Sequence, residues 1–146
     1  MNSENLLKKK KVRQFKAEYS AYLCYPHRIK ELNERKYRLD CMFDVRSPNM
    51  SGIRYAPSSR DERLANYAYQ RGRIDDELAL MNRNSKRIEH ILGLMNPRLR
   101  QAFEEVFSGK STFIEMESKL AMSESSIRRA INKEIAKALD VYDSGG

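Results

Sequence analysis

The stretch "LANYAYQRGRIDDELALMNRNSKRIEHILGLM", Leu64 to Met95, decides the fold class. Leu64, Tyr67, Arg71, Ile74, Leu78, Met81, Ser85, Ile88, Leu92 and Met95 follow one another in alternating steps of three and four. That spacing is the period of a helix with one apolar seam. Only Arg71 and Ser85 interrupt it. Polar residues at seam positions more often set register or face a second chain than build a site.

Toward the N-terminus, "RSPNMSGIRYAPSSRDE" (Arg46 to Glu62) breaks the pattern with two prolines, a glycine and its serines, predicting a loop over 46–61. Ser59 with Glu62 fits a capping box that opens the following helix. Before the loop, Tyr22, Tyr25, Ile29, Leu32, Lys36, Leu39 and Phe43 form a second seam. Pro26 lies near its start, so the main helix begins there or an earlier helix from about Phe15 kinks there. Two seams joined by one loop predict a long antiparallel helical hairpin over 15–96. Neither stripe covers the other completely, so a third helix or a second chain should cover the remainder. The expectation is a homo-oligomer, most simply a dimer, joined through Tyr67, Ile74, Leu78, Met81, Ile88 and Leu92.

Toward the C-terminus, Pro97 after Asn96 ends one helix and opens the next. Leu99, Ala102, Phe103, Val106 and Phe107 supply its apolar face, and Gly109 closes it. Thr112 and Glu115 form a capping box for a short helix to about Leu120. Ser123 caps the last helix, whose inner face is Ile127, Ala130, Ile131, Ile135, Ala138 and Tyr142. The segment 97–142 therefore reads as a three-helix domain containing a helix-turn-helix, with 143–146 a tail. The expected fold is all-α throughout.

Charge is unevenly spread. The net charge is +8, and residues 1–60 hold 14 Lys+Arg against 6 Asp+Glu, whereas the remainder balances. Much of the excess lies in residues 1–14, expected to be a basic, disordered arm that offers Lys8, Lys9, Lys10, Lys11 and Arg13 to phosphate. A solvated tail is the plain alternative. On the last helix, the face opposite the apolar stripe holds Ser125, Arg128, Arg129, Asn132 and Lys133. Arg suits guanine, Asn adenine, and Lys guanine or phosphate, and they lie in the N-terminal half that enters a major groove. Of these, Arg129 and Asn132 are expected on bases and Arg128 and Lys133 on phosphate.

Thr112 to Ile131 resembles the terminal helix-turn-helix of bacterial sigma factors, through Thr112, Leu120, Ala121, Met122, Ser123, Ile127, Arg128 and Arg129. Two residues depart from that pattern. Glu117 stands where a small alanine is preferred, and Ala121 where glycine makes the turn, at a cost of about 1 kcal/mol if φ is positive. The fuller layout joins a basic N-terminus, "YPHRIKEL", "SPNMSG", a second long helix and the sigma-like tail. Over residues 15–140 it resembles phage transcriptional regulators of the ArpU and RinA type. The resemblance implies a double-stranded-DNA-binding regulator in the cytoplasm of a bacterial host, acting on late genes in contact with host RNA polymerase.

An enzyme is not expected. His27 and His90 lack spaced partners for a metal, no phosphate-binding glycine motif occurs, and Asp75, Asp76 and Glu77 diverge around a helix. No cofactor is implied. No apolar run is long enough to span a membrane. Cys24 and Cys41 read as free thiols. Two other readings stand beside the regulator: a phage small terminase subunit, and a helical interaction protein that binds no DNA.

Overall fold

The computed structural model describes residues 3–46 and 57–145, with the side chains of 44–46 and 57–59 outside that description. It is all-α. Among the described residues five helices follow in order: α1 (Ser3–Arg46), α2 (Pro57–Gly93), α3 (Pro97–Phe107), α4 (Phe113–Leu120) and α5 (Glu124–Asp143). The middle of the expected loop, 47–56, lies outside the described residues. The helix after it begins at Pro57, ahead of the expected cap at Ser59. Proline suits a first helical turn, where its missing N–H costs nothing.

The chain forms two compact units, one of Met1–Leu23 with Asn84–Gly146 and one of Cys24–Arg83. This division runs differently from the expected one of 15–96 and 97–142, because Asn84–Gly93 of α2 packs with the helices that follow it. The second unit holds the later part of α1 and most of α2. Leu32, Ile74 and Met81 are buried at its centre, with Tyr25, Ile29, Leu39 and Leu78 packed against them. Arg28 pairs with Glu77 at 2.8 Å, Lys36 with Asp75 at 2.9 Å, and Phe43 stacks on Tyr67 at 4.4 Å. Partner numbers fall along α2 as they rise along α1, so the two run antiparallel there. Arg71, the interruption in the seam, donates to Asp40 and, at 3.0 Å, to the Tyr67 hydroxyl. Tyr67 itself donates to Asp40 at 2.5 Å. These bonds fix register, the role expected of a polar seam residue.

The first unit gathers parts of all five helices. The expected inner face of α5 is there: Ile127, Ile131, Ile135 and Ala138 are buried, joined by Leu139. Met116 and Leu120 come from α4, Ala102 and Phe103 from α3, and Ile88, Ile91, Leu92 and Met95 from α2 and the residues just after it. Val12, Phe15 and Tyr19 of α1 complete the core. Phe103 lies 4.7 Å from Tyr19 and 6.0 Å from Phe15, ring centre to ring centre.

That packing corrects the expected disordered arm. Residues 3–14 are the first turns of α1, and Phe15 is 1% exposed. Val12, Phe15, Tyr19 and Tyr22 continue the three-four seam, and lysine is itself a good helix former. Helix α1 also runs through Pro26 and does not begin there. The basis for an oligomer changes as well. Ile74, Met81, Ile88 and Leu92 are 5% exposed or less within a single chain, and Tyr67 and Leu78 are half-buried. The core takes up four of the six residues assigned to a subunit interface: Ile74 and Met81 pack with Leu32 of the expected α1 seam, whereas Ile88 and Leu92 join a core completed by the earlier turns of α1 and by α3–α5. Leu64, at the other end of the seam, is half exposed.

The helix ends follow the sequence closely. Asn96 Oδ1 accepts from the N–H groups of Arg98 and Leu99 at the start of α3. Gly109, with φ +82°, closes that helix. Thr112 accepts from Glu115 N–H at 3.2 Å and Ser123 from Ser126 N–H at 3.3 Å. Only Ala121, Met122 and Ser123 separate α4 from α5. Ala121 adopts the left-handed conformation (φ 55°, ψ 41°) that the short connection demands. No described helix is long and apolar enough to cross a membrane.

Candidate nucleic-acid interface

Helix α5 turns its apolar stripe inward, so Ser125, Arg128, Arg129, Asn132 and Lys133 are all exposed. Ser125, Arg129 and Lys133 are four residues apart and align on one face. Among the described residues, Arg129 and Lys133 have no hydrogen-bond or ion-pair partner. Arg128 is engaged. Its Nε and a terminal nitrogen donate to Glu124 at 3.1 and 2.8 Å, and its guanidinium lies 4.0 Å from the centre of the Phe113 ring. This holds Arg128 between the first residues of α4 and α5, so a phosphate contact by Arg128 would have to compete with Glu124. The Ser125 hydroxyl lies 3.3 Å from that of Ser123.

The first turns of α1 run beside α5. Between them is an open cleft of about 530 Å³ lined by Asn5, Lys8, Lys9, Val12, Arg13, Lys16, Asn132, Lys133 and Ala136. Five of those side chains are cations and none is a carboxylate. Val12 anchors the floor and holds the α1 wall in place. The two groups that the sequence suggested separately, the basic N-terminus and the polar face of α5, thus meet in one groove. Its low-dielectric walls and single sign of charge concentrate a field that attracts anions.

Not every expected residue joins it. Lys11 pairs with Asp143 at 3.3 Å on another face of α1, and Lys10 does not line the cleft. The sequence reading counts Lys16 in the charge of the basic N-terminus, which could compensate the neutral tail on DNA, but does not single it out as a site residue. Its ammonium donates to Asn132 Oδ1 at 2.5 Å and sits 5.2 Å from the centre of the Phe107 ring. Burial, and then the nearby Arg128, hold Lys16 below its ordinary pKa. An added anion would relieve both effects, since it compensates lost hydration and offsets the like charge. The signal that could have found Lys16 is its position beside Phe15 and one helical turn after Val12, at the edge of the α1 stripe.

Asp75 and Glu77 point to different cations, Lys36 and Arg28. Among the described residues, no three His, Cys, Asp or Glu side chains gather in a way that could hold a metal. No family model, curated protein or solved structure matches this chain.

Proposed function

We propose that the protein is a double-stranded-DNA-binding transcriptional regulator, with α4 and α5 as a helix-turn-helix. The observation that carries this reading is the carboxylate-free cationic cleft beside the exposed stripe Ser125–Arg129–Lys133. In this reading α5 enters the major groove, Arg129 contacts base edges, and the cleft receives the adjacent phosphate backbone. The N-terminal turns of α1 are a fixed wall of that interface. The assignment to phage or prophage late genes, the role as activator and the contact with RNA polymerase rest on the resemblance of the layout alone. A helical interaction protein gains support from the charge balance of residues 97–146, which hold 8 Lys+Arg and 8 Asp+Glu. The cleft weighs against it, because Lys8, Lys9, Arg13 and Lys16 of α1 add the missing positive charge beside α5.

Fluorescence anisotropy with a labelled random-sequence duplex tests the proposal. Binding that weakens steeply with added salt is expected, because condensed counterions are released from neutralised phosphates. Absence of binding at low salt overturns it. Selection from a random duplex pool, followed by mapping of the enriched motif on a candidate genome, would then locate the regulated promoter.

A further inference from the structure

By its type and its place on α5, Asn132 is a candidate to read adenine. An asparagine does so by accepting from adenine N6 through Oδ1 while donating to N7 through Nδ2, so it must present both atoms together. The structure alters what Asn132 can present. Lys16 Nζ lies 2.5 Å from Asn132 Oδ1. An ammonium can only donate, so the amide oxygen is the atom that must face it. The opposite orientation would bring N–H groups against N–H groups. The carbonyl of Asn132 is therefore turned toward α1, and the NH2 group is its outward end. Asn132 itself is exposed and lines the cleft.

We infer that Lys16 is a specificity-determining positioning residue that makes Asn132 a donor toward the base edge, selecting guanine or thymine over adenine. This rests on the DNA-binding reading above. Guanine offers N7 and O6 side by side as acceptors, and thymine offers O4. Beside adenine N7 stands the N6 amino group, whose hydrogens would meet those of the Asn132 amide. Lys16 is held in place to do this: it is half-buried, beside Phe107, on a helix anchored by Val12 and Phe15. Its Nζ carries three hydrogens, so a phosphate entering the cleft can be bound while the Asn132 contact persists.

In vitro selection from a random-sequence duplex pool tests the inference, run in parallel with the parent chain, N132A, K16M and K16R. In the parent motif, one position is expected to hold guanine or thymine and to lose its preference about tenfold in N132A. K16M frees the amide to turn and is expected to move that position to adenine. K16R retains a donor and should keep the parent preference. Melting curves by circular dichroism confirm that the variants are folded. Adenine at the Asn132-dependent position in the parent overturns the inference, and needs no Lys16 variant to do so. A K16M motif identical to the parent's overturns it, as does an N132A motif unchanged at every position. In those cases an enriched parent motif leaves the DNA-binding reading standing. A parent that enriches no motif removes both.

Discussion

The Glu117 carboxylate accepts a hydrogen bond from the backbone N–H of Glu124 at 2.8 Å, so a residue of α4 caps the start of α5. Judged by the sigma-like pattern, Glu117 is out of place, since a small alanine is preferred there. In this chain it satisfies an N–H that the helix leaves free, at the end of the helix that favours negative charge. Replacing Glu117 by Ala matches the pattern more closely and is nevertheless expected to destabilise the protein by about 1 kcal/mol. Denaturant unfolding of the parent and E117A measures this. Equal or greater stability of the variant would show that the bond contributes nothing.

Ala121 has the opposite character. Its φ of 55° crowds the Cβ against the backbone, and glycine removes that conflict. Ala121→Gly should raise stability by about 0.5–1 kcal/mol, after allowing for the greater freedom of glycine in the unfolded chain. Ala121→Val should lower it. A thermal melt in which A121G falls below the parent contradicts the left-handed turn.

The N-terminal turns of α1 separate structure from charge. Phe15→Ala removes a ring from the core beside Phe103 and is expected to cost about 3–5 kcal/mol. A disordered arm would lose nothing. The measurement is the denaturation midpoint with an unchanged slope.

Lys8, Lys9 and Arg13 line the cleft without entering the core, so changing all three to Gln should leave the fold intact. Affinity for cognate and random duplexes should fall alike. The slope of log K against log salt should become shallower by about 0.9 for each phosphate that is no longer neutralised. An unchanged slope would return these residues to a merely solvated role.

The Asp40–Tyr67–Arg71 cluster is expected to make the packing of α1 on α2 sensitive to pH at both extremes. The hydrogen bond from Tyr67, and then the bond and charge of Arg71, hold the Asp40 carboxyl below its ordinary value of 3.8. A depressed carboxylate pKa contributes stability above the unfolded value, and that stability disappears as pH falls through the folded one. The bond to Asp40 pushes the Tyr67 hydroxyl above its ordinary 10.0. The folded state then keeps a proton that the unfolded chain releases, so this contribution is lost as pH rises beyond 10. The double variant D40N/Y67F should show a flatter dependence of melting temperature on pH below about 4 and above about 10. Parallel curves for parent and variant would remove the cluster from the pH response.

What the sequence determined by itself is what depends on neighbours a few residues away. Hydrogen bonds from i to i−4, caps at Thr112 and Ser123, the break at Pro97 and the turn at Ala121 are local, and all were legible. The inner face of α5 was legible for the same reason, since one amphipathic stripe has only one side to bury. The candidate site was legible in composition, since Lys8, Lys9, Arg13, Asn132 and Lys133 all stand out by residue type and position. Their meeting was not, because α1 and α5 are separated by most of the chain. Periodicity says that a stripe will be covered and leaves open by which partner. The stripe through Val12 and Phe15 was hidden behind a run of lysines whose charge suggested an unfolded tail, until Phe103 gave Phe15 a place to pack. In the same way periodicity left open whether a third helix or a second chain covers Ile74, Met81, Ile88 and Leu92, and the protein's own helices bury them. The orientation of the Asn132 amide depended on an ammonium 116 positions away, and only tertiary structure could bring Lys16 to it.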